Sequence, residues 1–146
     1  EELTSLTGIY EYMMDLYSHH FNNQNLSIRD KINQINNLIS EHEESIANPI
    51  LDIINNREDL NLIGKNKILH KNRAPTIAFT SSKITSKKIS EILVSNKIAT
   101  RNDNFYAWRC LQALKINQND GVVRLSMTHY NNMDDTNKVI KALDNI

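Results

Sequence analysis

The sequence predicts an α+β fold: a small, mostly antiparallel sheet with helices packed on one face, preceded by a long connector helix. Two observations predict it. Apolar residues recur at helical spacing from Leu3 to Ile54, and beyond Asn55-Asn56 they regroup into short runs of strand length that alternate with helical segments. A run of helices followed by such a mixture packs as helices on one side of a small sheet of about three to five strands. At 146 residues the chain is long enough for a compact domain with a core of its own. The change of period divides it into N-terminal helices with the connector, residues 1–56, and an α+β domain, residues 57–146.

Each element has its local reason. Leu3, Leu6, Ile9, Tyr10, Met13, Leu16 and Tyr17 form the apolar stripe of a first helix, which should fade in the cluster Asn22 to Asn25. Ser27 caps the second helix, whose stripe runs Ile28, Ile32, Ile35, Leu38, Ile39 and Ile46. A bend is expected near Pro49 before Ile50, Leu51, Ile53 and Ile54 continue the stripe. Strands are expected at Leu60–Gly64, Lys67–Leu69, Thr76–Thr80, Ile98–Thr100 and Val122–Met127; Pro75 favours the third by biasing Ala74 toward extended geometry. Ser86 caps a helix carrying Ile89, Ile92 and Leu93, and Phe105–Ile116 is the next helix. The closing helix takes Asn131 or Asn132 as its cap, has Asp134 and Asp135 in its first turn, and shows Val139, Ile140, Leu143 and Ile146 on one face.

Composition excludes several classes of function. The 17 basic and 17 acidic residues cancel, so nucleic acid is not the expected partner. One cysteine rules out an internal disulfide. With no secretory pattern and no apolar run of membrane length, no membrane partner is expected and the expected compartment is the cytoplasm. No metal site is expected: His19 and His20 diverge on a helix, His42 and Glu43 lack a partner at helical spacing, and His70 and His129 stand alone. The chain opens at Glu1-Glu2-Leu3, already inside a helical pattern, and is expected to be a fragment.

The chemistry centres on Arg124. In the run Val122 to Met127, Val123, Leu125 and Met127 can face a core while Val122, Arg124 and Ser126 share the other face. An arginine on a rigid strand beside a hydroxyl residue can present its planar fork to a carboxylate or phosphate; the alternatives are a local salt bridge or an edge-strand charge in water. Lys65, Lys67, His70, Lys71 and Arg73 make a basic loop that could meet an anion or simply be a solvated surface. Cys110 shares a helix face with Ala107, Leu111 and Leu114 and reads as a small buried hydrophobe, although neighbouring Arg109 keeps a reactive thiol possible.

The order of several segments adds a resemblance. Arg73-Ala74-Pro75-Thr76, Ile98-Ala99-Thr100-Arg101, Asn104-Phe105-Tyr106-Ala107, the arginine strand and then His129-Tyr130-Asn131 resemble the C-terminal small domain of class V aminotransferases, the pyridoxal-phosphate (PLP) enzymes that include cysteine desulfurases. The likeness is to a cysteine desulfurase-like branch, in which Asn-Phe-Tyr-Ala and His-Tyr-Asn segments flank the substrate arginine. It implies the small domain of fold-type I PLP-dependent transferases, with Arg124 gripping the α-carboxylate of an amino-acid substrate. Arg101 falls where desulfurases carry an arginine opening their active-site loop, with an edge-strand charge as the alternative. Tyr106 stands where desulfurases carry their nucleophilic cysteine, and Asp103 where a glycine is common. His129 and Tyr130 become wall or hinge elements, with a satisfied structural histidine as the alternative.

By the same resemblance, PLP belongs to an N-terminal large domain of the same protein, and the full-length enzyme is a homodimer acting by transamination, epimerisation or desulfuration. No lysine here can be assigned to bond the cofactor, so this chain alone is expected to carry none and to be inactive. The alternative is a non-enzymatic α+β module that binds a small carboxylate ligand or a protein partner.

Overall fold

The computed structural model describes residues 2–69 and 72–146, with the backbone alone for residues 2–4. It divides into two compact units, residues 1–42 and 43–146. In the first, α1 (Glu2–His20) stops before the asparagine cluster and α2 (Ile28–Asn56) begins after it. Asparagines favour that break because their side chains bond nearby backbone, as Asn23 Oδ1 does in accepting from Asn25 N at 3.1 Å. The Ser27 hydroxyl accepts from Asp30 N at 3.2 Å and donates to the Asp30 carboxylate at 2.6 Å, which caps α2 as expected. Among the described residues of this unit, Tyr17 and Ile35 are buried. Tyr17 stacks on Phe21, carries the Lys31 ammonium over its ring and donates its hydroxyl to Asn23 O at 2.6 Å. Leu6, Ile9 and Tyr10 of the expected stripe are exposed, and the Leu3 side chain lies outside the described residues.

The second unit opens with the rest of α2, which continues through Pro49. Proline removes one helical hydrogen bond, and the turn around it is held by burial of Ile46, Ala47, Ile50, Leu51 and Ile54. Then come β1 (Leu60–Ile63), β2 (Thr76–Ser81), α3 (Ser86–Ser95), β3 (Arg101–Asp103), α4 (Trp108–Ala113), β4 (Val122–Ser126) and α5 (Met133–Leu143). The strands form one antiparallel sheet in the order β1-β2-β4-β3. Period-two alternation sends Leu60, Ile77, Phe79, Val123 and Leu125 into a core with Ile50 and Ile54 of α2, Ile89 and Leu93 of α3, and Val139 and Leu143 of α5. This is the α+β architecture that the sequence implies.

Four local expectations are corrected. Lys67–Leu69 is not a strand: the Asn48 amide takes both backbone groups of Ile68, accepting from its N–H at 2.9 Å and donating to its carbonyl at 3.1 Å. The strand expected at Ile98–Thr100 forms instead at Arg101–Asp103, since Ile98 packs on the core as part of a loop while the polar triplet pairs with β4. The helix expected over Phe105–Ile116 shrinks to α4, because Phe105 and Tyr106 sit at φ 50° and 60°, a left-handed geometry that cannot start a helix. The cap of α3 is Thr85, whose hydroxyl accepts from Lys88 N at 3.2 Å. Ser86, one residue on, is buried and gives its N–H and hydroxyl to the Asp120 carboxylate. At α5, Asn132 and Asp135 form a full capping box, and the Asn131 amide, with the Asn132 backbone N–H after it, holds the Asp135 carboxyl below its ordinary range.

Candidate functional site

The sheet face opposite the core carries a row, Ile63–Ala78–Arg124–Arg101, set by the pairing of four strands. Arg101 and Arg124 are direct cross-strand partners on that face. Like charges in this position repel, and Ala78 on the other side of Arg124 offers only a methyl. Among the described residues no carboxylate lies within 4.0 Å of either guanidinium. What Arg124 has instead is the Phe105 ring, with its guanidinium carbon 4.0 Å from the ring centroid. An arginine stacked on an aromatic is held by one face while the edges carrying its N–H groups stay open, a geometry suited to a carboxylate fork. Both arginines line a cavity of about 540 Å³ with Lys97, Thr100, Ser126 and the apolar Val94, Ile98 and Ala99. The Thr100 hydroxyl donates to Arg124 O at 2.8 Å and ties the loop before β3 to the arginine strand.

A second cavity of about 360 Å³ shares Lys97, Ile98, Ala99 and Ser126 and adds Tyr130, Asn131, Asp135 and Met127. His129 lines neither cavity and meets Tyr130 edge-on, ring centroids 5.5 Å apart. Tyr106 also lines neither; it is fully exposed at the crest of the β3–α4 loop. Asn104 builds that crest by accepting from Tyr106 N through its side chain at 3.0 Å and from Ala107 N through its carbonyl at 2.8 Å. Gly121 lets the loop approach β4: its φ is +67°, and a Cβ there would lie 2.3 Å from Asp103 C and 2.4 Å from Asp103 O.

Cys110 needs correction. It is exposed rather than a buried hydrophobe, because in so short a helix only Leu111 turns inward while Leu114 also faces solvent. In the basic loop, Arg73 spends its guanidinium on Lys65 O and Thr76 O, Lys65 bonds Asn72 O, and Lys67 pairs with Asp52; burial pushes the Arg73 pKa down. His70 and Lys71 lie outside the described residues. Among the described residues no three histidine, cysteine or acidic groups gather as a metal site, and no helix is long and apolar enough to cross a membrane.

With Arg124 set in the terminal strands of this fold, the comparison with known families is decisive. The family model for class V aminotransferases matches residues 28–139. The chain belongs to the class V aminotransferase family. Aminotransferase-like protein FGM3 of Gibberella zeae is 25% identical over 107 residues, which cover 73% of this chain and 27% of that protein. Among solved structures, a cysteine desulfurase from Thermococcus onnurineus superposes with a TM-score of 0.65 at 19% identity, covering 81% of this chain and 29% of that one. The cysteine desulfurase CsdA of Escherichia coli gives a TM-score of 0.61 at 20% identity, covering 73% of this chain and 24% of that one. This class V aminotransferase chain thus spans between 24% and 29% of the length of these relatives.

Members of the family generally use PLP, and the residues present do not by themselves fit it. Enclosure is what lowers a lysine's pKa and lets it bond a carbonyl cofactor, yet no described lysine is buried. Four features of the site escaped the sequence reading. Phe105 gave no sign that it covers Arg124, nothing local to Lys97 marks it as lining the cavity, and Gly121 could be recognised only as a glycine just before a strand. Register carries the fourth: which residue opposes Arg124 is a property of pairing that the linear sequence does not display.

Proposed function

We propose that this chain is the C-terminal small domain of a PLP-dependent class V enzyme acting on an amino acid, and that Arg124 binds the substrate α-carboxylate. The observation that carries the reading is the Arg124 guanidinium, stacked on Phe105 in a cavity and without a carboxylate partner among the described residues. Bond breaking belongs to the cofactor and to the domain that holds it; this chain binds and orients. A two-point grip on the carboxylate by a rigid strand fixes the bonds around Cα, which is the contribution orientation makes to rate. Arg101 lines the same cavity from the neighbouring strand, and Ser126 supplies a hydroxyl at the rim. Tyr106, on the loop crest, and His129, beside Tyr130, line neither cavity and take no part in the grip on the carboxylate. In this reading the chain's partners are the large domain of the same protein and an amino acid, in a cytoplasmic homodimer.

Cofactor loading tests the assignment. The long protein should carry one PLP per subunit, and the 146-residue chain mixed with PLP should show only slow, unsaturable reaction at exposed lysines. A stoichiometric, saturable cofactor absorbance band in the chain alone, or a long protein that takes up no PLP, would show that it is not the small domain of such an enzyme.

A further inference from the structure

The Arg101–Arg124 pair holds more positive charge than a single carboxylate needs. Two arginines are direct cross-strand partners on one face of the sheet, a placement that is destabilising when left uncompensated. Lys97 adds a third cation to the same cavity, no acidic side chain lines it, and no protein carboxylate lies within 4.0 Å of either arginine among the described residues. Among the described residues neither guanidinium donates a hydrogen bond to the protein, as Arg57 and Arg73 both do, so their forks remain available. The rest of the lining is apolar or hydroxylic, which suits a short carbon chain between two acid groups. Phe105 fixes Arg124, whereas Arg101 at the sheet edge is exposed and can adjust to the spacing of a ligand.

From this we infer that the preferred substrate is an amino acid with a second acid group on a short side chain, Arg124 taking the α-carboxylate and Arg101 the side-chain acid. The inference rests on the carboxylate role of Arg124 and adds the role of Arg101 as the residue that selects the substrate. Charge sets the preference: a monoacid leaves the second guanidinium opposed only by water, while a diacid neutralises both and gains a second charge-assisted pair.

Titration of the 146-residue chain at low ionic strength tests it, with succinate and butyrate as probes of equal carbon count and binding read by calorimetry and by arginine side-chain NMR signals. Both probes omit the ammonium, for which this cavity has no acidic partner. Succinate should bind about tenfold tighter than butyrate. In Arg101→Gln that advantage should disappear while butyrate still binds, and in Arg124→Gln both probes should be lost, each variant melting no lower than the parent. If butyrate needs Arg124 but succinate binds no tighter, or Arg101→Gln leaves the preference intact, the diacid inference falls and the carboxylate site stands. Inorganic phosphate that binds tighter than succinate through both arginines would also overturn it, by showing a site for a compact anion. If neither probe binds saturably, or binding ignores Arg124→Gln, both readings fall.

Discussion

Replacing Gly121 by alanine separates two reasons for a glycine that sequence reasoning merges. At Gly121 the added Cβ would stand 2.3 and 2.4 Å from Asp103 C and O and 2.8 Å from Asn104 N, all backbone atoms that cannot swing aside. The left-handed torsion costs about 1–2 kcal/mol for an L-residue, and an overpacked contact costs about 1–3 kcal/mol more. The sum, about 2–5 kcal/mol, corresponds to a melting point lower by roughly 4–20 °C for a chain of this size. Gly64 is the control. Its φ of +102° lies further from the ordinary left-handed well, but a Cβ there would meet only Arg73 Nη1, at 3.9 Å. Torsion alone therefore makes Gly64→Ala the more harmful change, and the close approach makes Gly121→Ala the more harmful. Circular-dichroism melts of the two variants decide. A smaller loss for Gly121→Ala than for Gly64→Ala would refute the claim that β4 is seated against the β3–α4 loop through that glycine.

Two further outcomes are expected. The Arg57 guanidinium, bonded to both Asp59 oxygens at 2.6 and 2.9 Å, holds the Asp59 carboxyl down at about 2, with Lys83 adding attraction at 3.7 Å, against the ordinary 3.8. A depressed carboxylate gives stability that is present above its unfolded pKa and is lost as pH falls through the folded one. Urea midpoints of the parent should therefore drop toward those of Asp59→Asn between about pH 4 and pH 2, and parallel curves would show that the pair contributes nothing. Cys110 should react with a maleimide in the folded protein at the rate of an exposed thiol, and Cys110→Ala should change stability by no more than about 0.5 kcal/mol; protection until unfolding would put the thiol in the core.

The parts of the fold that local pattern controls were legible. The alternation around Val123 and Leu125 fixes which side of β4 is inside, and the Asn132–Asp135 spacing fixes the start of α5. Misreadings arose where a distant group overrode local preference. Ile68 looks like a strand residue, but Asn48, twenty positions earlier, takes its backbone bonds. Ile98 is as apolar as a buried strand residue, but the ladder forms on the polar triplet after it. Arg57 reaches the backbone oxygens of Leu143 and Ile146, a closure between sequence-distant segments that no motif announces. At the site, the alternation around Arg124 could be read from sequence, whereas its pairing with Arg101 and its cover by Phe105 could not. Both depend on strand register and on a loop turned by two left-handed residues.

The proposed carboxylate grip of Arg124 is tested most directly by Arg124→Ala in the full-length protein, assayed with an amino-acid substrate and with its decarboxylated amine. Removing one partner of a desolvated charge pair costs about 2–5 kcal/mol, or roughly 1.5 to 3.5 orders of magnitude in kcat/KM for the amino acid. Arg124→Lys should restore little, since a lysine lacks the planar fork. The amine should lose nothing, and the melting point should stay near the parent's, because Arg124 projects from the sheet face opposite the core. Equal losses for the acid and the amine, or a collapse of folding, would contradict the assignment.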